Sequence, residues 1–213
     1  MTACVRAGQG RMPGAYGVLD RPLLYRLLQS VLAPGADAGI ARVIASVLSH
    51  LEIGGLVLDV GCGPVSRLWK VGLEPIGLDR SSAYATAYDR ARRGRGVVGD
   101  AAHLPFADGV FASAWTVGLM HHLDDGTAGG VLGELRRVSR PDGHVVVLDA
   151  VMPRAPWRRP LAYALRRLDR GRFVRGEPAL LNLLHGHGRW QWTRHTYSYT
   201  ALELIVAWSE ARA

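Results

Sequence analysis

The run Leu56-Val57-Leu58-Asp59-Val60 breaks off into Gly61-Cys62-Gly63-Pro64, and this junction limits the fold more than any other stretch of the chain. A short, continuous apolar run suits a strand buried on both faces, as strands of parallel sheets are. Glycines directly after it let the backbone turn tightly and come close to a ligand. A helix following the loop would offer free amide hydrogens to an anionic group, and Pro64 suits its first turn. Similar strands are expected at 75–78, 97–98, 111–117 and 144–151, separated by helices over 81–93 and 127–140. The second of these helices places Val131, Leu135 and Val138 on one face and stops at Pro141-Asp142-Gly143. Strand alternating with helix at this spacing predicts crossover connections and a mostly parallel α/β sheet with helices on both faces.

Two amphipathic helices should precede that core. One starts near Pro22, carries Leu24, Leu27, Leu28, Val31 and Leu32 on one face, and ends at Pro34-Gly35. The next takes Asp37 as its cap, with Ile40, Val43, Ile44, Val47 and Leu48 as its apolar stripe. Beyond Val151 the texture changes, since Met152 to Arg175 holds eight arginines and three prolines. Leu161, Leu165 and Leu168 form a stripe there, surrounded by Arg158, Arg159, Arg166, Arg167 and Arg170. Three readings fit this insert: a solvated helix packed on the sheet, a gate over a pocket, or a contact for phosphates or a membrane surface. The final runs 190–199 and 202–208 alternate as strands and predict an antiparallel hairpin. With no repeat or linker, residues 1–213 read as one domain: N-terminal helices over 1–53, a core over 54–151, and an insert with the hairpin over 152–213.

Composition narrows the partners. The net charge is +8 and Lys70 is the only lysine, so nearly all positive charge is arginine. A basic surface attracts acidic substrates, nucleic acid or anionic lipid alike. Cys4 and Cys62 stand far apart and suggest neither a disulfide framework nor a zinc site. Met1 to Gly14 lacks the apolar stretch of a signal peptide, and no run reaches the roughly 20 apolar residues of a membrane span. A cytoplasmic protein is expected.

Asp79 lies twenty residues beyond Asp59, at the end of the second strand. An acid there is placed to accept the hydroxyls of a bound ribose. A nicotinamide dinucleotide would explain these residues too, but its fingerprint wants a third glycine where Ser66 stands. Taken singly, Asp79 and Asp100 are also ordinary helix caps.

Five segments in order carry a more specific resemblance. Asp59-Val60-Gly61-Cys62-Gly63 resembles the first motif of class I S-adenosylmethionine-dependent methyltransferases, and Gly77-Leu78-Asp79-Arg80-Ser81 the second. Gly99-Asp100-Ala101-Ala102-His103-Leu104-Pro105-Phe106 resembles the third, in the form of the quinone C-methyltransferase-like group. The stretch 111–123, ending in His121-His122-Leu123, and Ser139-Arg140-Pro141-Asp142-Gly143-His144-Val145 complete the series. The resemblance covers about residues 54–151 and implies a Rossmann-like, seven-strand-type sheet binding S-adenosylmethionine. It implies that the backbone around Gly61, Cys62 and Gly63 holds the methionine part, supported by Asp59. Asp79, with Arg80 beside it, would take the ribose; Asp100 and the Ala101 backbone would take the adenine. The family often has one more glycine two residues after the second, and here Val65 stands there.

Methyl transfer needs alignment of the acceptor and, for an oxygen or carbon acid, removal of its proton. His121 and His122 follow the fourth strand and are the candidates for that base; their alternative is to hold a loop and wall the pocket. His103 reads as structural. His185 and His187 lack an acidic partner for metal ligation, and no metal is expected. Cys62 reads as a packing residue. No Asn/Asp-Pro-Pro-Tyr/Phe sequence follows the fourth strand, and no Pro-Cys pair is set for attack on pyrimidines, which argues against nucleic-acid bases as acceptors. The reading is therefore methyl transfer to a small organic acceptor such as a phenol, quinone or natural-product intermediate. RNA methylation and a non-catalytic cofactor-binding role are the alternatives.

Overall fold

Residues 35–169 and 171–210 are described by the computed structural model. The helix expected over 22–32, Cys4, the N-terminal stretch 1–14 and Arg170 lie outside them. Five strands run parallel: β1 (Val57–Val60), β2 (Ile76–Asp79), β3 (Gly96–Val98), β4 (Phe111–Val117) and β5 (Ser139–Val151). Two more, β6 (Trp190–Thr196) and β7 (Glu203–Ser209), form an antiparallel hairpin whose β7 edge joins β5. The order across the seven-stranded sheet is β3-β2-β1-β4-β5-β7-β6. The fold is thus the Rossmann-like α/β sheet with an antiparallel C-terminal hairpin that the sequence predicts.

Alternation along the central strands sends side chains to two separate cores. Val145, Val147 and Val151 of β5 pack on one side with Leu58 and Ile205; Val146 and Leu148 pack on the other with Trp115, Leu204 and Val206. Helix α1 (Ala36–Leu48) covers the second side with Ile40, Val43, Ile44 and Val47. Helix α3 (Asp125–Val138) and helix α5 (Glu177–His185) cover the first. Val131, Leu132, Leu135 and Val138 of α3 are fully buried, each contributing about 1.5–3 kcal/mol relative to exposure. Helix α2 (Ser82–Ala91) packs beside β2 and β3, and α4 (Pro160–Arg167) lies within the insert.

Several expectations are corrected. Gly35, in the left-handed region at φ 77°, caps α1 without a side-chain bond, and Asp37 sits in the first turn, ion-paired with Arg67 and Lys70. The helix expected over 127–140 runs from Asp125 to Val138, because Asp124 caps it by accepting the Thr127 amide. Pro141-Asp142-Gly143 does not end that helix. It forms an irregularity inside β5, where pairing with β4 jumps from Phe111–Ser139 to Ser113–His144, and the regular ladder resumes at the residue where the strand was expected to begin. β6 ends at Thr196, short of the run 190–199, β7 keeps the expected length one residue later at Glu203–Ser209, and α5 was not foreseen.

The largest departure follows the glycine loop. No α-helix forms between β1 and β2; the connection holds only a 3-10 turn over Leu68–Val71. The helix N-terminus expected to receive an anionic group is absent there.

Candidate active site

All five parallel strands end at one edge of the sheet, and the order reverses between β1 and β4, where ligands of open α/β sheets settle. Gly61 follows β1 there at φ 74°, and a Cβ on it would lie 3.1 Å from Leu119 beyond β4. Gly63, at φ 62°, faces open space. Only glycine takes such dihedrals without strain, so the loop presents bare backbone to that crevice. Its amides, however, are committed. Gly61 and Cys62 donate to the Leu78 carbonyl at 2.8 and 3.2 Å, and Gly63 donates to Asp79 Oδ2 at 3.0 Å. The loop therefore has no free amide at Gly61, Cys62 or Gly63 to offer a phosphate.

Beneath the loop, Asp59 is 2% exposed. Its Oδ2 accepts a 2.6 Å bond from the Ser66 hydroxyl, which in turn accepts the Leu68 amide. Ser66 thus anchors the acid at the position where a dinucleotide site would carry glycine. The other oxygen, Oδ1, is buried without a partner. Burial pushes the Asp59 carboxyl up to about 6, against smaller lowering effects from Ser66 and Arg67. The native state therefore takes up this proton at a higher pH than the unfolded chain. Stability should rise as pH falls through about 6 and level off below the unfolded value of 3.8. The contribution is on the order of 3 kcal/mol at 1.36 kcal/mol per unit. Denaturant unfolding of the wild type and Asp59→Asn at pH 7 and pH 5 checks this: the variant should lose the gain on acidification, and equal gains would refute it.

Cys62 turns its thiol inward, where burial holds its proton far above the ordinary range. The sulfur packs against Gly77 and Tyr88: a Cβ on Gly77 would lie 2.8 Å from Sγ and 2.5 Å from the Tyr88 ring. Only its backbone borders the loop, in line with a packing residue.

Neither Asp79 nor Asp100 caps a helix. Ser81 caps α2 by accepting the Tyr84 amide, while Asp79 accepts Ser81 N at 2.8 Å and Gly63 N at 3.0 Å. Each oxygen keeps a lone pair for a ligand hydroxyl. Asp100, exposed at the same edge, accepts the Ala102 amide at 3.0 Å in the turn after β3. Ala101 is half-buried there, and Arg80 is exposed after β2. The third-motif loop is clamped from behind, since Arg137 of α3 donates to the Leu104 and Phe106 carbonyls and pairs with Glu134 and Asp108. His103 is exposed on this loop.

Past β4, a 3-10 turn (Met120–His122) brings the two histidine rings within 4.2 Å of each other. They are not equivalent. His121 Nδ1 meets Asp149 Oδ1 at 2.5 Å, and the His121 amide donates to Asp149 Oδ2 at 3.0 Å. Asp149, 1% exposed near the end of β5, also accepts the Ala150 amide at 2.6 Å. Burial alone would raise this carboxyl, but the adjacent imidazole and its donors hold it below the ordinary range. Burial lowers His121, yet Asp149, with Asp169 behind it, outweighs that effect and the net shift is upward from 6.5. His122 lies on the exposed side.

The insert closes over His121. Asp169 Oδ1 lies 4.0 Å from His121 Nε2, and Phe173 N donates to the His121 carbonyl at 3.0 Å. A Cβ on Gly171 would stand 2.1 Å from the imidazole Cδ2, so only glycine allows this approach. Arg175 fastens the segment with bonds to the Met120 and Leu123 carbonyls and to Asp125. The expected stripe is not what α4 buries: Leu161 is 58% and Leu168 82% exposed, while Ala162 and Arg166 face inward. Arg166 can replace a leucine there because Tyr197 Oη, the Glu203 carbonyl and Asp169 hold its two terminal nitrogens, while Nε is buried without a partner. Arg154 and Arg159 pair with Glu177 and Glu203, so much of the insert's charge is neutralised internally.

Asp149, Asp169, Gly171 and Ser66 were not singled out by sequence. Asp149 had a readable signal, an acid inside the apolar run Val145–Val151 of a strand buried on both faces, which demands a partner. Among the described residues no group of three metal-ligating side chains converges, His185 and His187 included, and no helix is long and apolar enough to cross a membrane.

Residues 58–147 match the family model of the methyltransferase domain. Methyltransferase GfsG of Streptomyces halstedii is 35% identical over 136 residues, covering 58% of this chain and 48% of that protein. Demethylmenaquinone methyltransferase of Mycolicibacterium paratuberculosis is 34% identical over 139 residues, covering 61% and 56%. The chain thus spans about half the length of these curated relatives. A crystal structure of a SAM-dependent methyltransferase from Thermotoga maritima superposes with a TM-score of 0.68 at 15% identity, covering 92% of this chain and all of that one.

Proposed function

We propose, taking residues 58–147 as a methyltransferase domain, that the protein transfers a methyl group from S-adenosylmethionine to a small organic acceptor, a phenol, quinone or natural-product intermediate, in the cytoplasm. The observation that carries this reading is the His121–Asp149 pair at the strand edge beside the glycine loop. The cofactor supplies an electrophilic methyl group on a sulfonium. The residues present fit such a group: open backbone at Gly63, a buried acid with a partnerless oxygen at Asp59, and spare lone pairs on Asp79. Asp79 would hold the ribose and Asp100 with the Ala101 backbone the adenine. Committed loop amides and the absent helix N-terminus argue against a nicotinamide pyrophosphate.

His121 acts as general base. Asp149 accepts the Nδ1–H hydrogen bond and so leaves Nε2, 4.0 Å from Asp169 Oδ1, as the unprotonated nitrogen. The acceptor proton would pass to Nε2, the acceptor's freed electron pair would take the methyl group as its bond to sulfur breaks and S-adenosylhomocysteine leaves, and Asp149 would stabilise the imidazolium that forms. His122 walls the site, its ring tilted 39° to that of the base at 4.2 Å. The insert excludes water through Gly171 and Phe173, which lie on His121.

Incubation of the purified protein with methyl-labelled S-adenosylmethionine and extracts of cells tests the reading. Label should enter an organic-soluble, nuclease-resistant product. Label released by nuclease would make RNA the acceptor, and no transfer to any fraction would leave the binding-only reading.

A further inference from the structure

We propose that the outer face of α4, with the 3-10 turn before it (Pro156–Arg158), docks on an anionic lipid surface at the mouth of the His121 site. Leu161, Leu165 and Leu168 recur at i, i+4 and i+7 and so share one side of the helix, about 100° from the side that buries Ala162 and Arg166. Among the described residues that apolar side is largely uncovered: Leu168 is 82% and Leu161 58% exposed, Trp157 in the preceding turn is 78% exposed, and Leu165 between them is half-buried. Three such side chains in water along a short amphipathic element are the pattern of a helix lying in a membrane interface, where tryptophan also partitions.

Charge completes the match. Between Met152 and Gly176 the only acid is Asp169 against eight arginines, and Arg166 already neutralises it. Arg154, Arg159 and Arg175 pair with acids elsewhere. Arg158, Arg167 and Arg172, all exposed, form no ion pair among the described residues. These unpaired cations around aliphatic side chains complement lipid phosphates with acyl chains behind them. The face is continuous with the site: Leu168 precedes Asp169, which lies 4.0 Å from His121 Nε2, and Phe173, 40% exposed, covers the His121 carbonyl. An apolar acceptor dissolved in the lipid would then reach the base without crossing water.

The test reads binding, not turnover, and so stands apart from the methyl-transfer reading. The full-length protein is floated with phosphatidylcholine vesicles with and without phosphatidylglycerol. It should float with the anionic vesicles and be released by salt. The double variant Leu161→Glu, Leu168→Glu should lower partitioning at least about tenfold, and Arg158→Gln and Arg167→Gln about fivefold each. Both leucines are exposed, so the fold should persist, as thermal melting verifies. Absence of flotation, or flotation indifferent to the double variant, overturns the proposal. So does a dimer that the double variant splits, which would make this a self-contact, or binding of an RNA oligonucleotide in place of vesicles.

Discussion

Replacing His121 by asparagine should lower kcat by about 10²–10⁴-fold, the usual range for a positioned acid–base group, while S-adenosylhomocysteine binding changes little. The ring touches no residue of the glycine loop in the network described, and its backbone bonds to Asp149 and Phe173 survive the substitution. His122→Asn should have a smaller effect, because it is His121 that bonds to Asp149, while His122 is exposed. A base must be unprotonated to work, and Asp149 shifts His121 upward from 6.5. Turnover should therefore rise with pH and inflect above that value. Asp149→Asn removes the anion that favours the imidazolium, so the inflection should move down while the plateau also falls. That variant also leaves the buried donors of His121 and Ala150 with a weaker acceptor, so it should melt earlier. Steady-state rates across pH read all of this. If His121→Asn keeps the wild-type plateau, general-base catalysis by this residue is wrong.

Asp79→Ala should weaken S-adenosylhomocysteine binding at least about tenfold, and should cost about 2–3 kcal/mol of stability. Two effects combine. The variant loses the acceptor for ribose hydroxyls, and it also frees the Gly63 and Ser81 amides that the carboxylate holds at 3.0 and 2.8 Å. Bonds from amides to a charged oxygen are among the stronger ones, and the loop they close is the proposed floor of the cofactor site. Asp79→Asn keeps one acceptor oxygen and should fall between the wild type and Asp79→Ala. Calorimetric titration together with denaturant unfolding separates the two contributions. Lost stability with unchanged affinity would leave Asp79 as a brace for the loop and remove it from the ribose site.

Most of the sheet was legible because its signals are local. The run of β1, the alternating elements up to Val151 and the glycine pair each declare themselves within a few residues, and β4 falls where the sequence places it. Helix ends were less legible, since a cap depends on one side chain reaching one amide; Asp124 does so and Asp37 does not. The missing helix after the glycine loop was hidden because Pro64 and the expected crossover suggest one, while Ser66 bonds back to Asp59 and stabilises a turn in its place.

The insert was misread for a related reason. A stripe of leucines at helical spacing ordinarily marks the buried face. Here the buried position belongs to Arg166, whose partners Tyr197 and Glu203 stand 31 and 37 residues away. No window of sequence short enough to read a helix contains them.

What the sequence determined by itself was the set of strands and the residues at their ends: Gly61, Gly63, Asp79, Asp100, His121 and His122 fall at one edge because parallel strands all finish there. What only the tertiary structure decided was which of them work together. Asp149 lies 28 residues from His121, and the two meet because β4 and β5 are neighbours in the sheet, where a carboxylate buried in the core must find a donor. Local patterning fixes where a side chain stands along its own element. Its partner, and hence its proton, depends on which elements pack side by side.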